Sequence, residues 1–243
     1  MLYALIVLAV LATAILSGVI GMAGGMILMA LLVLSMSVAN AMILHGVVQA
    51  TSNGSRAWFL RDHILWRILP LYLLGAGVSV ALFTILVVVP DPALVLILVG
   101  IFPWAGRWIK GLQGLDVTQP SSTILCGFVV TGAQLLAGAS GPLLDMFYVR
   151  SPLTRQQIVA SKALTQTIGH VLKIVYYGFI VSVSVNLPTW LFAGSMVAAI
   201  AGARIGTWLL TRWNDADFQQ VSQVFILSIA TLCIVQGVYQ LVR

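Results

Sequence analysis

The sequence predicts an all-α polytopic membrane protein with two inverted-topology repeats, each a broken or re-entrant helical hairpin plus three transmembrane helices. Three observations carry that prediction: a shortage of charge, apolar runs too long for strands, and a polar pattern that occurs twice. Of 243 residues, 12 are Lys or Arg, 6 are Asp and none is Glu. Charged residues make up 7% of the chain and hydrophobic ones 60%, against about 25% charged in soluble domains. Mean hydropathy is +1.07. A soluble globule, a disordered chain and a nucleic-acid module are excluded. The net charge of +6 is read as topology, because positive residues collect on the cytoplasmic side of membranes.

Apolar segments run over 2–36, 38–55, 68–89, 93–109, 121–149, 156–182, 187–210 and 217–242. Their length argues for helices, since barrel strands would be short and alternating. Met1-Leu2-Tyr3 lacks a positive n-region, so a cleaved signal is not expected. Segment 2–36 is too long for one crossing and breaks at SGVIGMAGG (17–25). Segment 121–149 breaks at TGAQLLAGASGP (131–142). Such breaks persist in a membrane only where neighbours satisfy the freed backbone. Each is a bent span or a hairpin that returns to its starting side.

Positive charge favours the hairpins. With both segments returning, Arg56, Arg61, Arg67, Arg107, Lys110, Arg150, Arg155 and Arg212 share one side; only Arg243 lies opposite. Lys162, Lys173 and Arg204 fall inside spans. The halves then have opposite orientation.

A repeat supports the division independently. HGVVQATSNGSRAWF (45–59) lies over KALTQTIGHVLKIVY (162–176) at an offset of 117. His45 matches Lys162, Gln49 matches Gln166, Asn53 matches His170, and Arg56 matches Lys173. Upstream, Ser17-Gly18 lies over Thr131-Gly132. The expected division is a first repeat over 1–110, a linker near 111–120 and a second repeat over 121–243, fused into one transport domain.

The matched stripes are the main candidates for chemistry. Lys162, Gln166, His170 and Lys173 follow i, i+4, i+8, i+11, an arc of roughly 80° on a helix. An ionisable residue inside a span costs at least about 2.5 kcal/mol unless it faces a cavity or partner. The alternative is snorkelling lysines and interhelical hydrogen bonds. The breaks are the second candidate. A helix broken in mid-membrane presents N–H groups and a positive dipole end to an anion. Gly24, Gly25, Gly138, Ser140 and Gly141 allow close backbone approach, and Pro142 suits a first helical turn. Small-residue packing is the competing reading.

Asp145 is the one acid placed within an apolar stretch. It pairs with Arg150 or Arg155 at the membrane edge, or else serves Lys162 or a coupling proton. His63 and most of the Trp residues suit an interfacial belt. Cys126 and Cys233 are expected as small buried residues. GASG (138–141) also fits the Gly-x-Ser-Gly motif of rhomboid intramembrane proteases, with Ser140 and His170 as a nominal pair. A non-transporting scaffold subunit is a third reading.

The paired breaks GVIGMAGGMILMALL and LAGASGPLLDMFYVRSPLTRQQIVASKAL, with TQTIGHVLKIVYYG after the second, resemble the sulfite exporter TauE/SafE family of membrane permeases. HGVVQATSNGSRAWFLRDHILW is similar to the matching first-half segment, and the likeness covers nearly the whole chain. Two features depart from the pattern. The Gly triplets are reduced to AGG and GASG, and Asp145 stands where the family commonly has an apolar residue.

The resemblance implies transport of sulfite or an organosulfonate such as sulfoacetate or taurine, in a bacterial inner membrane. The resulting expectation is a secondary transporter of a small anion by alternating access, not an enzyme. Gly24, Gly25, His45, Gln49, Asn53, Gly138, Ser140, Gly141, Lys162, Gln166 and His170 form the substrate site. Arg56 and Lys173 guide the anion at opposite mouths, with Asp145 on the pathway. No cofactor or metal is called for. A coupling proton or sodium ion and a homodimer are compatible with this reading.

Overall fold

The computed structural model describes residues 1–20, 23–108, 115–210 and 215–242. Among the described residues there are ten α-helices and no strand. They are α1 (Leu2–Ile20), α2 (Ala23–Ser35), α3 (Val38–Phe59), α4 (Leu69–Leu86), α5 (Pro92–Trp108), α6 (Pro120–Ala137), α7 (Gly141–Tyr148), α8 (Arg155–Val175), α9 (Thr189–Leu210) and α10 (Asp215–Val242). Each expected apolar segment becomes one helix, except that the two broken segments become two each. Lys110, Arg212, Arg243 and residues 111–114 of the expected linker lie outside the described residues.

Local chemistry sets several boundaries. The Ser37 side chain accepts from the Asn40 amide to start α3. Thr154 and Gln157 form a reciprocal capping box at the start of α8. Gly138, at φ 74°, ends α6 in the left-handed region that glycine adopts without a Cβ penalty. Pro70, Pro120 and Pro142 sit in the first turns of α4, α6 and α7, where a missing N–H costs nothing.

Both broken segments fold back. Gly24 lies against the carbonyl of Thr13 and the hydroxyl of Ser17. A continuous helix would hold residues 13 and 24 about 16 Å apart, so α2 returns along α1. In the second segment, the Val117 amide donates to the Phe147 carbonyl at 2.8 Å. The end of α7 thus comes back beside the residues that precede α6.

The principal contacts pair α1 with α9, α4 with α6, α5 with α10, and α3 with α8. Glycines allow the close crossings, as expected where helices in lipid associate by packing. A side chain at Gly127 would overlap the Tyr72 carbonyl, and one at Gly75 the Ile124 carbonyl. Leu8, Val197 and Leu232 are 61%, 68% and 67% exposed, a surface that fits lipid and not water. Trp58, Trp66, Trp108 and Trp190 are exposed near helix ends.

Among the described residues, five helical stretches are long and apolar enough to cross a membrane: Leu2–Val19, Trp66–Leu86, Pro120–Ala137, Thr189–Leu209 and Val224–Val242. Helices α3 and α8 span 22 and 21 residues but are not among them, because both carry polar stripes. They pack against each other. Gly46 abuts the His170 carbonyl and Ile174, while Gly54 meets Thr167. As α3 advances, its neighbours on α8 recede in number, so the two helices are antiparallel.

One buried chain of hydrogen bonds ties this pair to both breaks. Lys173 Nζ donates to the Gly138 carbonyl at 2.9 Å and lies 2.9 Å from His45 Nδ1. His45 Nε2 lies 2.9 Å from the Gly25 carbonyl. A lysine donates, and a carbonyl only accepts, so His45 takes the tautomer with its proton on Nε2. Tyr176 and Tyr177 finish α8 by donating to the carbonyls of Val88 and Leu135.

Two outcomes follow for stability. Lys173→Met strips the donor from a buried carbonyl and a buried imidazole, each loss costing about 1–3 kcal/mol. The detergent-solubilised variant should therefore melt several degrees below wild type, and an unchanged melt would remove the tie. Gly127→Val should likewise destabilise by forcing α4 and α6 apart, whereas the same change at Gly77, which faces open space, should be nearly neutral.

Candidate functional site

The stripes of α3 and α8 face each other across a cavity of about 250 Å³. Gln49 stands at the middle of α3 and Gln166 at the middle of α8, with the starts of α2 and α7 closing the space from the sides. Of the residues expected from sequence, Gly25, His45, Gln49, Asn53, Ser140, Gly141, Lys162, Gln166 and His170 line it. Arg56 does too. It is half-buried and within electrostatic reach of Lys162.

The remaining expected residues lie off the cavity. Gly24 packs against α1, where a Cβ would strike Thr13 and Ser17. Gly138 offers its carbonyl to Lys173 and is crowded by the sulfurs of Met29 and Met42. Lys173 was expected at a mouth and is instead fully buried behind the site. It follows Lys162 by three helical turns, and at that depth its ammonium meets the Gly138 carbonyl and His45. Asp145 also stands outside the lining, paired with Lys162.

Within the cavity the polar groups are arranged as donors. Asn53 Nδ2 donates to Gln166 Oε1 at 3.4 Å, which leaves the Gln166 amino group uncommitted by that bond. A Cβ at Gly25 would sit 2.8 Å from Gln49 Nε2, so glycine is what lets the start of α2 approach this amide. The His45 and His170 rings lie 5.4 Å apart, and buried His170 Nδ1 has no partner. Among the described residues, no carboxylate lines the cavity.

Sequence reasoning missed four groups. Ser52 and Thr207 line the cavity, as does Ser17. Ser17 and Ser52 lay within the quoted break and stripe; Thr207, one of three hydroxyl residues on α9, gave no signal. Gln134 was also overlooked. Its Oε1 accepts from the Ser140 hydroxyl at 2.9 Å, and its Nε2 is buried without a partner. That bond bears on the protease reading, because the Ser140 hydroxyl is directed to an amide and not to His170.

The cavity therefore offers amide and hydroxyl donors, two cations and the starts of two helices, with no competing carboxylate among the described residues of its wall. Such a surface binds a small anion with several oxygens. No curated protein and no solved structure matches the chain. The sequence model for "Sulfite exporter TauE/SafE" matches residues 5–232, nearly its whole length. The chain belongs to the sulfite exporter TauE/SafE family, whose members are integral membrane transporters and not enzymes.

Proposed function

We propose that this protein moves sulfite or a small organosulfonate across the membrane by alternating access at the cavity between α3 and α8. The observation that carries the reading is the wall itself: Gln49, Gln166, Lys162 and Arg56 converge on one space, with no carboxylate among its described lining residues. An oxyanion there gains charge-assisted hydrogen bonds, each worth about 1.5–3 kcal/mol. The family description names sulfite, and a three-oxygen anion suits donors that arrive from both helices. The starts of α2 and α7 add partial positive charge from either side.

The movement rests on a second proposal, that the halves 1–110 and 121–243 are inverted repeats. Helices α3 and α8 carry the matched stripes, and they run antiparallel. Exchanging the halves also turns the α1–α9 contact into the α6–α4 contact, while α3–α8 and α5–α10 map onto themselves. A site on the axis relating two such halves is exposed to alternate faces when one rocks against the other.

Sulfite-loaded proteoliposomes test the site. Gln166→Ala and Lys162→Ala should each lower efflux at least about 10-fold, the loss of one hydrogen bond to an anion. Near wild-type flux in both variants would remove the assignment. Binding across sulfite, sulfate, thiosulfate, sulfoacetate and taurine ranks the substrates, and no binding of any would reject the substrate class.

Orientation is tested separately. Both native cysteines are buried, so a cysteine introduced at 67 or 150 reports its own side. The inverted arrangement puts both on one face, and labelling from opposite faces would contradict it.

A further inference from the structure

Lys162 meets an anion only in competition with a partner it already has. Its ammonium lines the cavity, yet it is already paired with the carboxylate of Asp145, which stands outside the lining. The lysine side chain is 20% exposed and the aspartate 44%. The other acids with described side chains serve elsewhere: Asp91 and Asp116 cap backbone turns, and Asp62 lies in the turn after α3. Counting from Gly25 and Gly141, the first half has Met29 in the place of Asp145. The matched partner of Lys162 is His45, which bonds the Gly25 carbonyl instead. The charge pair therefore belongs to one half only.

From this we infer that Asp145 is a tethered counter-anion that sets which anions the cavity accepts, an inference that rests on the anion-transport reading above. With the cavity empty, Asp145 neutralises Lys162. An anion that relies on the ammonium must take it from a carboxylate held beside it at high effective concentration. A halide offers one diffuse charge and no directional acceptors, so it relies on the ammonium almost alone and bears that cost in full. An oxyanion also rests on the N–H groups of Gln49 and Gln166 and can share the ammonium with Asp145, so it bears less of the cost. Asp145 thus lowers affinity for every anion and raises the ratio of oxyanion to halide binding. No proton transfer is needed, since the displaced carboxylate is half-exposed and can be hydrated.

Other charged and titratable groups share this neighbourhood. Arg56 and His45 reach it from α3, and His170 and Lys173 lie further along α8. Arg150 and Arg155 flank the loop between α7 and α8. All of these are cationic or neutral. The contribution of Asp145 is therefore read directly from its own removal.

The test measures sulfite Kd, and chloride inhibition of sulfite binding, in wild type, Asp145→Asn and Asp145→Glu at one pH. Asp145→Asn should bind sulfite about 5-fold more tightly, the size expected for losing a partly exposed ion pair. Chloride should gain more than sulfite, so the sulfite-to-chloride ratio should fall; Asp145→Glu should restore both values. Unchanged affinity and ratio in Asp145→Asn, or weaker sulfite binding, would overturn the inference while leaving the transport reading intact. If Asp145→Asn does not fold, Asp145→Ser reads the same two quantities. Failure of the wild-type protein to bind sulfite or any other small oxyanion would bring down the transport reading, and this inference with it.

Discussion

A helix broken inside a bilayer frees carbonyls and amides that hydrocarbon cannot satisfy. This protein makes two such breaks, and its organisation depends on where the freed groups go. The carbonyl of Gly138, freed at the end of α6, is taken by Lys173, and His45 holds the first turn of α2 through the carbonyl of Gly25. The starts of α2 and α7 border the cavity. A single chain of hydrogen bonds thereby fixes both hairpins to the α3–α8 pair, with the anion site on its other side. The buried lysine looks like a binding residue in sequence, but its place is behind the wall.

Function follows from that division of labour. Groups that hold the breaks are satisfied and buried, while Gln49, Gln166, Lys162 and Arg56 keep donor capacity toward the cavity. The two halves share this scheme but differ in charge. In one, His45 pins a hairpin; in the other, Lys162 is held by Asp145. On the proposed symmetry each half supplies one face of the site, and the departure from it gives the site one cation with a built-in competitor.

Much of this was legible in the sequence, for identifiable reasons. The segment limits follow from hydropathy, and both breaks from small residues in runs too long for one crossing. The stripes follow from helical periodicity, so nine of the eleven expected substrate residues line the cavity. The misses have a common cause. Periodicity gives the face of a helix but not the distance from that face to the cavity. Lys173 shares a stripe with Lys162 yet ends against a carbonyl, and Gly24 neighbours Gly25 yet points to α1. Thr207 reaches the site because α9 packs on α1, a contact that no local pattern announces. The partner of Asp145 was one of two alternatives, and only the return of α7 toward α8 decided it for Lys162.

The central claim is that an oxyanion sits between Gln49 and Gln166 with the starts of α2 and α7 beside it. A structure solved with selenite, an electron-dense analogue of sulfite, tests this most directly. The account predicts one strong peak within hydrogen-bond reach of both glutamine amides and of Lys162 Nζ. A peak elsewhere, with the α3–α8 cavity holding only water at saturating selenite, would contradict it.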